Sequence, residues 1–166
     1  MTVLDVTNWL SAHSDRVQKT EREVVYTHFT GETSVLALPP QDQRERLRVR
    51  SPFLSTFYAS FSAASLGNGH IVFASNVPGG VQGSHGYTVL DLRETRQHAQ
   101  ECGMQCEGEE EVFMQTAGWM FLYSIRPALG EKEELRLYDR DFQKTRSIGD
   151  LREVLEEWWS IVLEDR

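Results

Sequence analysis

The chain has 166 residues, of which 40% are hydrophobic and 25% are charged, an ordinary balance for one globular domain with its own core. No apolar run approaches the roughly 20 residues that a membrane-spanning helix needs. The first ten residues also lack the basic segment and apolar block of a secretory leader. We therefore expect a single domain over residues 1–166 that stays in the cytoplasm and has no membrane contact.

The net charge of −8 belongs entirely to the second part of the chain. Residues 1–100 carry nine acidic and nine basic side chains, whereas residues 101–166 carry sixteen acidic and eight basic ones. An acidic surface repels phosphate backbones, so the distribution disfavours direct binding of nucleic acid. It suits a basic protein partner, such as the nucleic-acid-binding face of a nuclease, although solubility alone is an alternative reason for it.

The first quarter of the chain predicts a helix followed by two strands. Thr2 or Asp5 is suited to cap the helix, and its apolar side would be formed by Val6, Trp9, Leu10, His13 and Val17. Residues 23–29 and 34–38 are rich in strand-forming side chains and are separated by a turn. The basic run at residues 41–50 is interpreted as a solvated edge that pairs with the acidic half. The alternative is that this basic run binds phosphate or an acidic partner.

The middle of the chain predicts two further helices around a glycine-rich segment. Ser51 as cap and Pro52 as first residue begin a helix with an aromatic stripe, which is expected to end by Leu66. Strands are predicted at residues 70–74 and 87–92, and a helix at residues 91–105. Residues 76–86 lack a phosphate-binding glycine motif, which favours a mobile hairpin loop or a partner-contact loop.

Residues 111–159 carry the most regular pattern. Short strands are predicted at residues 112–114, 119–125 and 135–138, and the second of these is apolar on both pleat faces, as in a central strand with Trp119 in the core. Ser147 is the predicted N-cap of a last helix, with Asp150 as its capping-box partner. The apolar stripe of that helix would be Leu151, Val154, Leu155, Trp158 and Val162. The whole chain thus predicts an α+β domain, a mostly antiparallel twisted sheet of about five to seven strands with N-terminal, middle and C-terminal helices packed on it.

Side chains with catalytic or metal-binding chemistry do not form a recognised motif. His98, Cys102 and Cys106 are spaced to share one side of a helix, but structural zinc takes four ligands, so two reduced thiols are the favoured interpretation. Ser84 and His85 are sequence neighbours, which rarely present their side chains to each other in working geometry, and no nucleophile elbow surrounds them. The sequence predicts no catalytic residues, no metal and no cofactor.

The C-terminal pattern resembles the SUKH superfamily. The resemblance rests on Val112-Phe113-Met114, Ala117-Gly118, Phe121 with Tyr123, Leu137-Tyr138-Asp139 and Ser147 with Leu151 and Leu155. An aromatic helix that begins with a proline and ends near an Asn-Gly pair is also similar, and here it involves Pro52, Phe57, Tyr58, Phe61, Asn68 and Gly69. The chain departs from the family by placing a strand pair between its first helix and that motif. The superfamily includes bacterial immunity proteins that neutralise secreted toxins, and a yeast cell-wall-synthesis regulator.

The resemblance implies an immunity protein that binds a toxin domain in the cytoplasm and blocks its active or substrate-binding surface. The residues predicted to contact the partner are acidic or aromatic: Glu109, Glu110, Glu131, Glu133, Glu134, Asp139 and Asp141, with Trp119, Tyr123 and Trp159 as anchors. Trp159 is equally well explained as a second core-facing tryptophan, and Asp139 with Asp141 as a solvated turn or an oxygen-ligand site. Two other functions fit the pattern: a chaperone for a secreted effector, and an enzyme or small-ligand-binding domain that uses residues 76–86 as a lid.

Overall fold

The computed structural model describes residues 2–42, 44–106, 108–126 and 133–164. Within these ranges the chain is α+β, with four helices, a nine-stranded antiparallel sheet and a two-stranded sheet. The helices are α1 (Val3–Ala12), α2 (Pro52–Ser60), α3 (Leu92–Glu101) and α4 (Leu151–Glu164). None of them is long and apolar enough to cross a membrane.

The large sheet contains the following strands: β1 (Ser14–Lys19), β2 (Glu23–His28), β3 (Thr33–Ala37), β4 (Ala63–Leu66), β5 (Ile71–Phe73), β8 (Glu111–Thr116), β9 (Phe121–Arg126), β10 (Glu134–Asp139) and β11 (Lys144–Ile148). They pair in the order β1-β2-β3-β4-β5-β8-β9-β10-β11. The two-stranded sheet is a hairpin of β6 (Val81–Gln82) and β7 (Thr88–Val89). One strand of this hairpin lies inside residues 76–86, which were predicted as the loop between strands at 70–74 and 87–92; the strand at residues 71–73 pairs with β4 and β8 instead.

The prediction of five to seven strands was too low, because it missed the two edge strands β1 and β11 and also β4, which was predicted as part of a helix. β1 and β11 expose nearly all of their side chains, so they lack the apolar alternation by which strands are recognised. Val17, predicted on the first helix, lies in β1, and Ser147, predicted as a helix cap, lies in β11. The last helix begins at Leu151, and the carboxylate of Asp150 accepts a 3.0 Å hydrogen bond from the amide of Arg152.

The sheet is covered on both faces. Helices α1, α2 and α4 pack on one face and form the main core, whereas α3 and the β6–β7 hairpin pack on the other. Strand β9 illustrates the arrangement, because Tyr123 and Ile125 belong to the main core and Leu122 to the cluster under α3. Its prediction as a strand apolar on both faces is confirmed.

The predicted starts of α1 and α2 are confirmed and that of α4 was placed too early, whereas the ends of α1, α2 and α3 were predicted too late. Thr2 caps α1 in a capping box with Asp5, and the Ser51 hydroxyl accepts a hydrogen bond from the amide of Leu54 at the start of α2. Helix α2 ends at Ser60, because the buried residues that follow enter the sheet as β4. Helix α3 ends at Glu101, just before the positive φ of Gly103.

Candidate partner-binding surface

Four turns of the large sheet lie at one end of it. They join β2 to β3, β4 to β5, β8 to β9 and β10 to β11, and the antiparallel register places them side by side. We call this surface, formed by residues 29–32, 67–70, 117–120 and 140–143, the turn end. Backbone hydrogen bonds of 2.8–3.0 Å connect each turn to the next. They run from the amide of Asn68 to the carbonyl of Thr33, from Ala117 to His70 and from Arg140 to Met120. The four turns therefore form one continuous surface.

The turn end exposes large apolar side chains. Phe29 is 63% exposed, Met120 39% and Phe142 73%. Only two other large hydrophobic side chains in the described part of the chain are exposed, Leu4 and Val17. Isolated exposed hydrophobic residues are ordinary, but Met120 and Phe142 lie on adjoining turns, and adjacent exposed apolar side chains are typical of a contact surface.

Unfavourable backbone conformations are concentrated on the same surface. Asn68, Trp119 and Gln143 have φ values of 55°, 59° and 52°, and among the described residues they are the only ones other than glycine with a positive φ. Each such residue costs about 1–3 kcal/mol unless its surroundings compensate, and such residues cluster at functional sites. At Asn68 the compensation is visible, because its side-chain oxygen accepts hydrogen bonds from the amide and the hydroxyl of Thr33 at 3.0 and 3.1 Å.

Phe142 is held in its exposed position by the turn beneath it. The Asp139 carboxylate accepts hydrogen bonds from the amides of Asp141 at 3.0 Å and Phe142 at 3.3 Å. The Arg140 guanidinium donates to the carbonyl of Gly118 at 3.3 Å and so connects this turn to its neighbour. A side chain on an ordered turn loses less entropy on binding than one on a mobile loop.

Trp119 is at the turn end, and its prediction as a core residue of a central strand was wrong. Gly118 and Trp119 both adopt positive φ, which reverses the chain before β9 begins at Phe121. The indole is half-buried and stacks on the imidazole of His98, with ring centroids 4.9 Å apart and planes 16° apart. Of the predicted contact residues, Trp119, Asp139 and Asp141 therefore come together at this surface.

The acidic residues at the start of β8 mainly stabilise the fold. Glu109 is exposed and forms an ion pair with Arg50, which agrees with the predicted pairing of the basic run and the acidic half. Glu110 is only 1% exposed and accepts a hydrogen bond from the hydroxyl of Ser124. As folded, Glu110 is internal and is not presented to a partner, contrary to the prediction.

The acidic residues around the start of β10 are also engaged within the chain. Glu133 accepts a 3.4 Å hydrogen bond from the amide of Phe53, and Glu134 accepts one from the hydroxyl of Ser147. Both glutamates are half-buried. Glu131, the remaining predicted acidic contact, lies outside the described residues.

The two remaining predicted aromatic anchors are buried. Tyr123 is 4% exposed, and its burial, together with the nearby charge of Glu157, raises the pKa of its hydroxyl to about 12. Trp159 is 7% exposed and makes edge-to-face contacts with Trp9 and His28 at centroid distances of 5.6 and 4.9 Å. Trp159 is therefore a second core-facing tryptophan, one of the two interpretations of its sequence position.

The side chains of Ser84 and His85 meet, but not in the working geometry of a catalytic pair. The Ser84 Oγ lies 3.0 Å from His85 Nδ1, and its hydroxyl donates to the buried carboxylate of Glu23, which also accepts a 3.1 Å hydrogen bond from Tyr87. In a catalytic triad the imidazole lies between the hydroxyl and the carboxylate and uses both ring nitrogens. Here the same nitrogen faces both groups, with 3.7 Å between His85 Nδ1 and Glu23 Oε1. The cluster attaches the β6–β7 hairpin to the sheet.

The His98, Cys102 and Cys106 set does not share one helix, because α3 ends at Glu101. His98 is instead stacked on Trp119, and both cysteines are half-buried free thiols. Burial raises the pKa of the Cys106 thiol. Within the described ranges, no three His, Cys, Asp or Glu side chains are grouped so that they could hold a metal ion.

Comparisons with protein families, with characterised proteins and with solved structures found no match. Membership of the SUKH superfamily therefore stays a prediction from the sequence. Sequence reasoning did not single out the exposed side chains of Phe29, Met120 and Phe142. For Phe142 a signal was present, since it is the only apolar residue in the polar segment 139–147.

Proposed function

We propose that this chain is an immunity protein that binds a toxin domain in the cytoplasm through its turn end and blocks the toxin's active or substrate-binding surface. The observation that carries the proposal is the exposure of Met120 and Phe142 on adjoining turns, with Phe29 two turns further along the same end of the sheet. The sequence resemblance to a superfamily that includes immunity proteins is the reason for proposing a toxin as the partner.

The energetics favour an interface centred on these side chains. Complete burial of one large apolar side chain contributes about 1.5–3 kcal/mol. A few such anchors typically dominate the affinity of an interface. Because hydrogen bonds already order the turn that carries Phe142, much of that contribution would remain as affinity.

Charge supports a basic partner. Asp141 is exposed beside Phe142, and the Asp139 carboxylate lies beneath it on the same turn. The excess acidity of residues 101–166 would steer a basic toxin surface toward this half of the molecule. The association rate is therefore expected to fall with rising salt concentration.

The test combines the chain with the toxin domain encoded by the adjacent gene. Wild-type protein should restore growth of cells that express this domain and should form a stoichiometric complex with it. The variants Phe29→Asp and Phe142→Asp should each weaken the complex by at least about tenfold, since each buries a charge in place of an anchor. The matched control is Leu4→Asp, which places the same charge at an exposed apolar site on α1, away from the turn end.

Two results would contradict the proposal. One is equal binding by the control and the two turn-end variants. The other is binding to a partner fragment that lacks the toxic domain, which would instead indicate a chaperone for the secreted protein.

A further inference from the structure

Strand β1 forms one edge of the large sheet. Among the described strands it pairs only with β2, and every residue of β1 after the first is exposed. An edge strand leaves a row of backbone N–H and C=O groups without partners, and such a row is a template for pairing with another strand. The side chains of β1 indicate which strand would fit it.

Alternate residues of β1 direct their backbone groups away from the sheet. The amide of Thr20, just beyond the strand, donates a 2.9 Å hydrogen bond to the carbonyl of Glu23. Residues that bond to the neighbouring strand alternate with residues that do not along an antiparallel ladder, so Gln18 also bonds toward β2. The N–H and C=O groups of Val17 and Lys19 therefore point outward, toward any strand added at this edge.

The sequence of β1 is complementary to itself when two copies run antiparallel and are centred on Val17. Val17 then lies opposite Val17 of the second copy, and Asp15 lies opposite Lys19. Val17 is 49% exposed, so this contact would remove apolar surface from water. Charges on an edge strand ordinarily oppose the addition of a strand, but opposite charges that face each other across a ladder stabilise it.

The two charged side chains are available for this pairing. Asp15 and Lys19 are both exposed, and neither forms an ion pair with another residue in the described part of the chain. A bulge at Asp15 shifts the register of β1 against β2. The flexible four-carbon stem of Lys19 accommodates that shift, because its ammonium group is a point charge without a fixed orientation.

The opposite edge of the sheet, strand β11, does not match itself. An antiparallel pair of β11 strands centred on Arg146 or on Thr145 would place basic side chains opposite each other, since Lys144 lies two residues before Arg146. Like charges in that position are destabilising. A contact between β1 of one copy and β11 of another would be heterologous and would continue as an open chain of copies. A contact between two β1 strands closes on itself.

We infer that two copies of this chain form a symmetric dimer through β1, which joins their large sheets into one. The inference does not depend on the proposed function. Strand β1 begins beside the turn end, since Ser14 pairs with His28, and the two copies of β1 run antiparallel. The two turn ends therefore point in opposite directions and both remain open to a partner. One short strand is a small interface, so the dimer should be reversible, with a dissociation constant of about 10–100 µM.

The first experiment exchanges the two charges and measures dimerisation by sedimentation equilibrium. Asp15→Lys and Lys19→Asp each place like charges opposite each other in the dimer, and each should raise the dissociation constant at least about fivefold. The double variant restores opposite charges in exchanged positions, and its dissociation constant should return to within about twofold of the wild-type value. An equal mixture of the two single variants should form heterodimers, in which every facing pair is again of opposite charge.

The matched control is Lys144→Asp, which makes the same change as Lys19→Asp on the other edge strand. It should leave the dissociation constant within about twofold of the wild-type value. Equal weakening by the two lysine variants would indicate a general charge effect and would overturn the inference. So would a wild-type protein that stays monomeric up to about 1 mM, or a double variant weakened by the sum of the single effects.

Hydrogen exchange then locates the contact. The amides of Val17 and Lys19 should exchange more slowly as the protein concentration rises through the dissociation constant, whereas the amides of β11 should not change. Protection that appears at β11 instead, or at neither edge, would overturn the inference. Phe142→Asp should leave the protection of Val17 intact, and Asp15→Lys should leave toxin binding intact, so failure of the dimer and failure of the proposed function give different results.

Discussion

The contact between Gly67 and Trp158 predicts a specific loss of stability on substitution by alanine. Gly67 has φ +56°, and a Cβ there would lie 2.0 Å from Cζ2 and 2.5 Å from Cη2 of the indole. The left-handed conformation costs an alanine roughly 1 kcal/mol. Forcing the buried ring aside adds about 1–3 kcal/mol. We therefore expect Gly67→Ala to lower the free energy of unfolding by about 2–4 kcal/mol.

Gly86→Ala is the matched control, because Gly86 has φ +73° and an added Cβ would meet nothing within 4 Å. It should carry only the backbone cost of roughly 1 kcal/mol. Urea denaturation, followed by circular dichroism, measures the free energy of unfolding of both variants. The two values are compared with the same slope of free energy against urea concentration. Equal losses at the two glycines would refute the claim that the tryptophan ring fixes α4 against the turn at residues 67–70.

A double substitution strengthens this test. Trp158→Phe removes the atoms that an alanine at Gly67 would meet, so the combined variant should lose less stability than the sum of the two single changes. Simple additivity would show that the backbone conformation, and not the ring, is responsible for the loss at Gly67.

Three further expectations concern a cap, a histidine and a turn. Thr2→Ala should lower the free energy of unfolding by about 1 kcal/mol in urea, because it removes the capping box of α1. Burial lowers the pKa of His28 below its ordinary 6.5, so the unfolded chain takes up the proton first and stability should decline as the pH falls below about 6.5. Urea midpoints on either side of that pH measure the decline, and His28→Gln should reduce it. Asp139→Ala should destabilise the β10–β11 turn by about 1 kcal/mol and raise its amide hydrogen exchange, whereas Asp141→Ala should do neither.

The sequence determined those elements whose signal is local. Helix starts follow from a cap and the residues within one turn of it, as at Thr2 and Ser51. Strand β9 was recognisable because its apolar residues occupy both pleat faces, and burial of that pattern requires cover from both sides. The α+β class followed from these elements together.

Tertiary structure alone decided the edge strands of the sheet and the C-terminal ends of the helices. Strands β1 and β11 are polar, and they become strands only because β2 and β10 offer them backbone partners. Helix α2 stops at Ser60 because strand β3 pairs with residues 63–65, a contact distant in sequence.

For the candidate site as well, one part was predictable from the sequence and the other part depended on tertiary structure. Asp139 and Asp141 were identifiable as turn residues, but no local pattern shows that their turn lies beside that of Met120. Glu110 was predicted as a surface acid on charge alone, and its burial depends on Ser124, fourteen residues away. Local patterns specify caps, turns and faces, because neighbours in sequence supply those interactions. The grouping of turns into one surface depends on strand register, which is set by packing between distant segments.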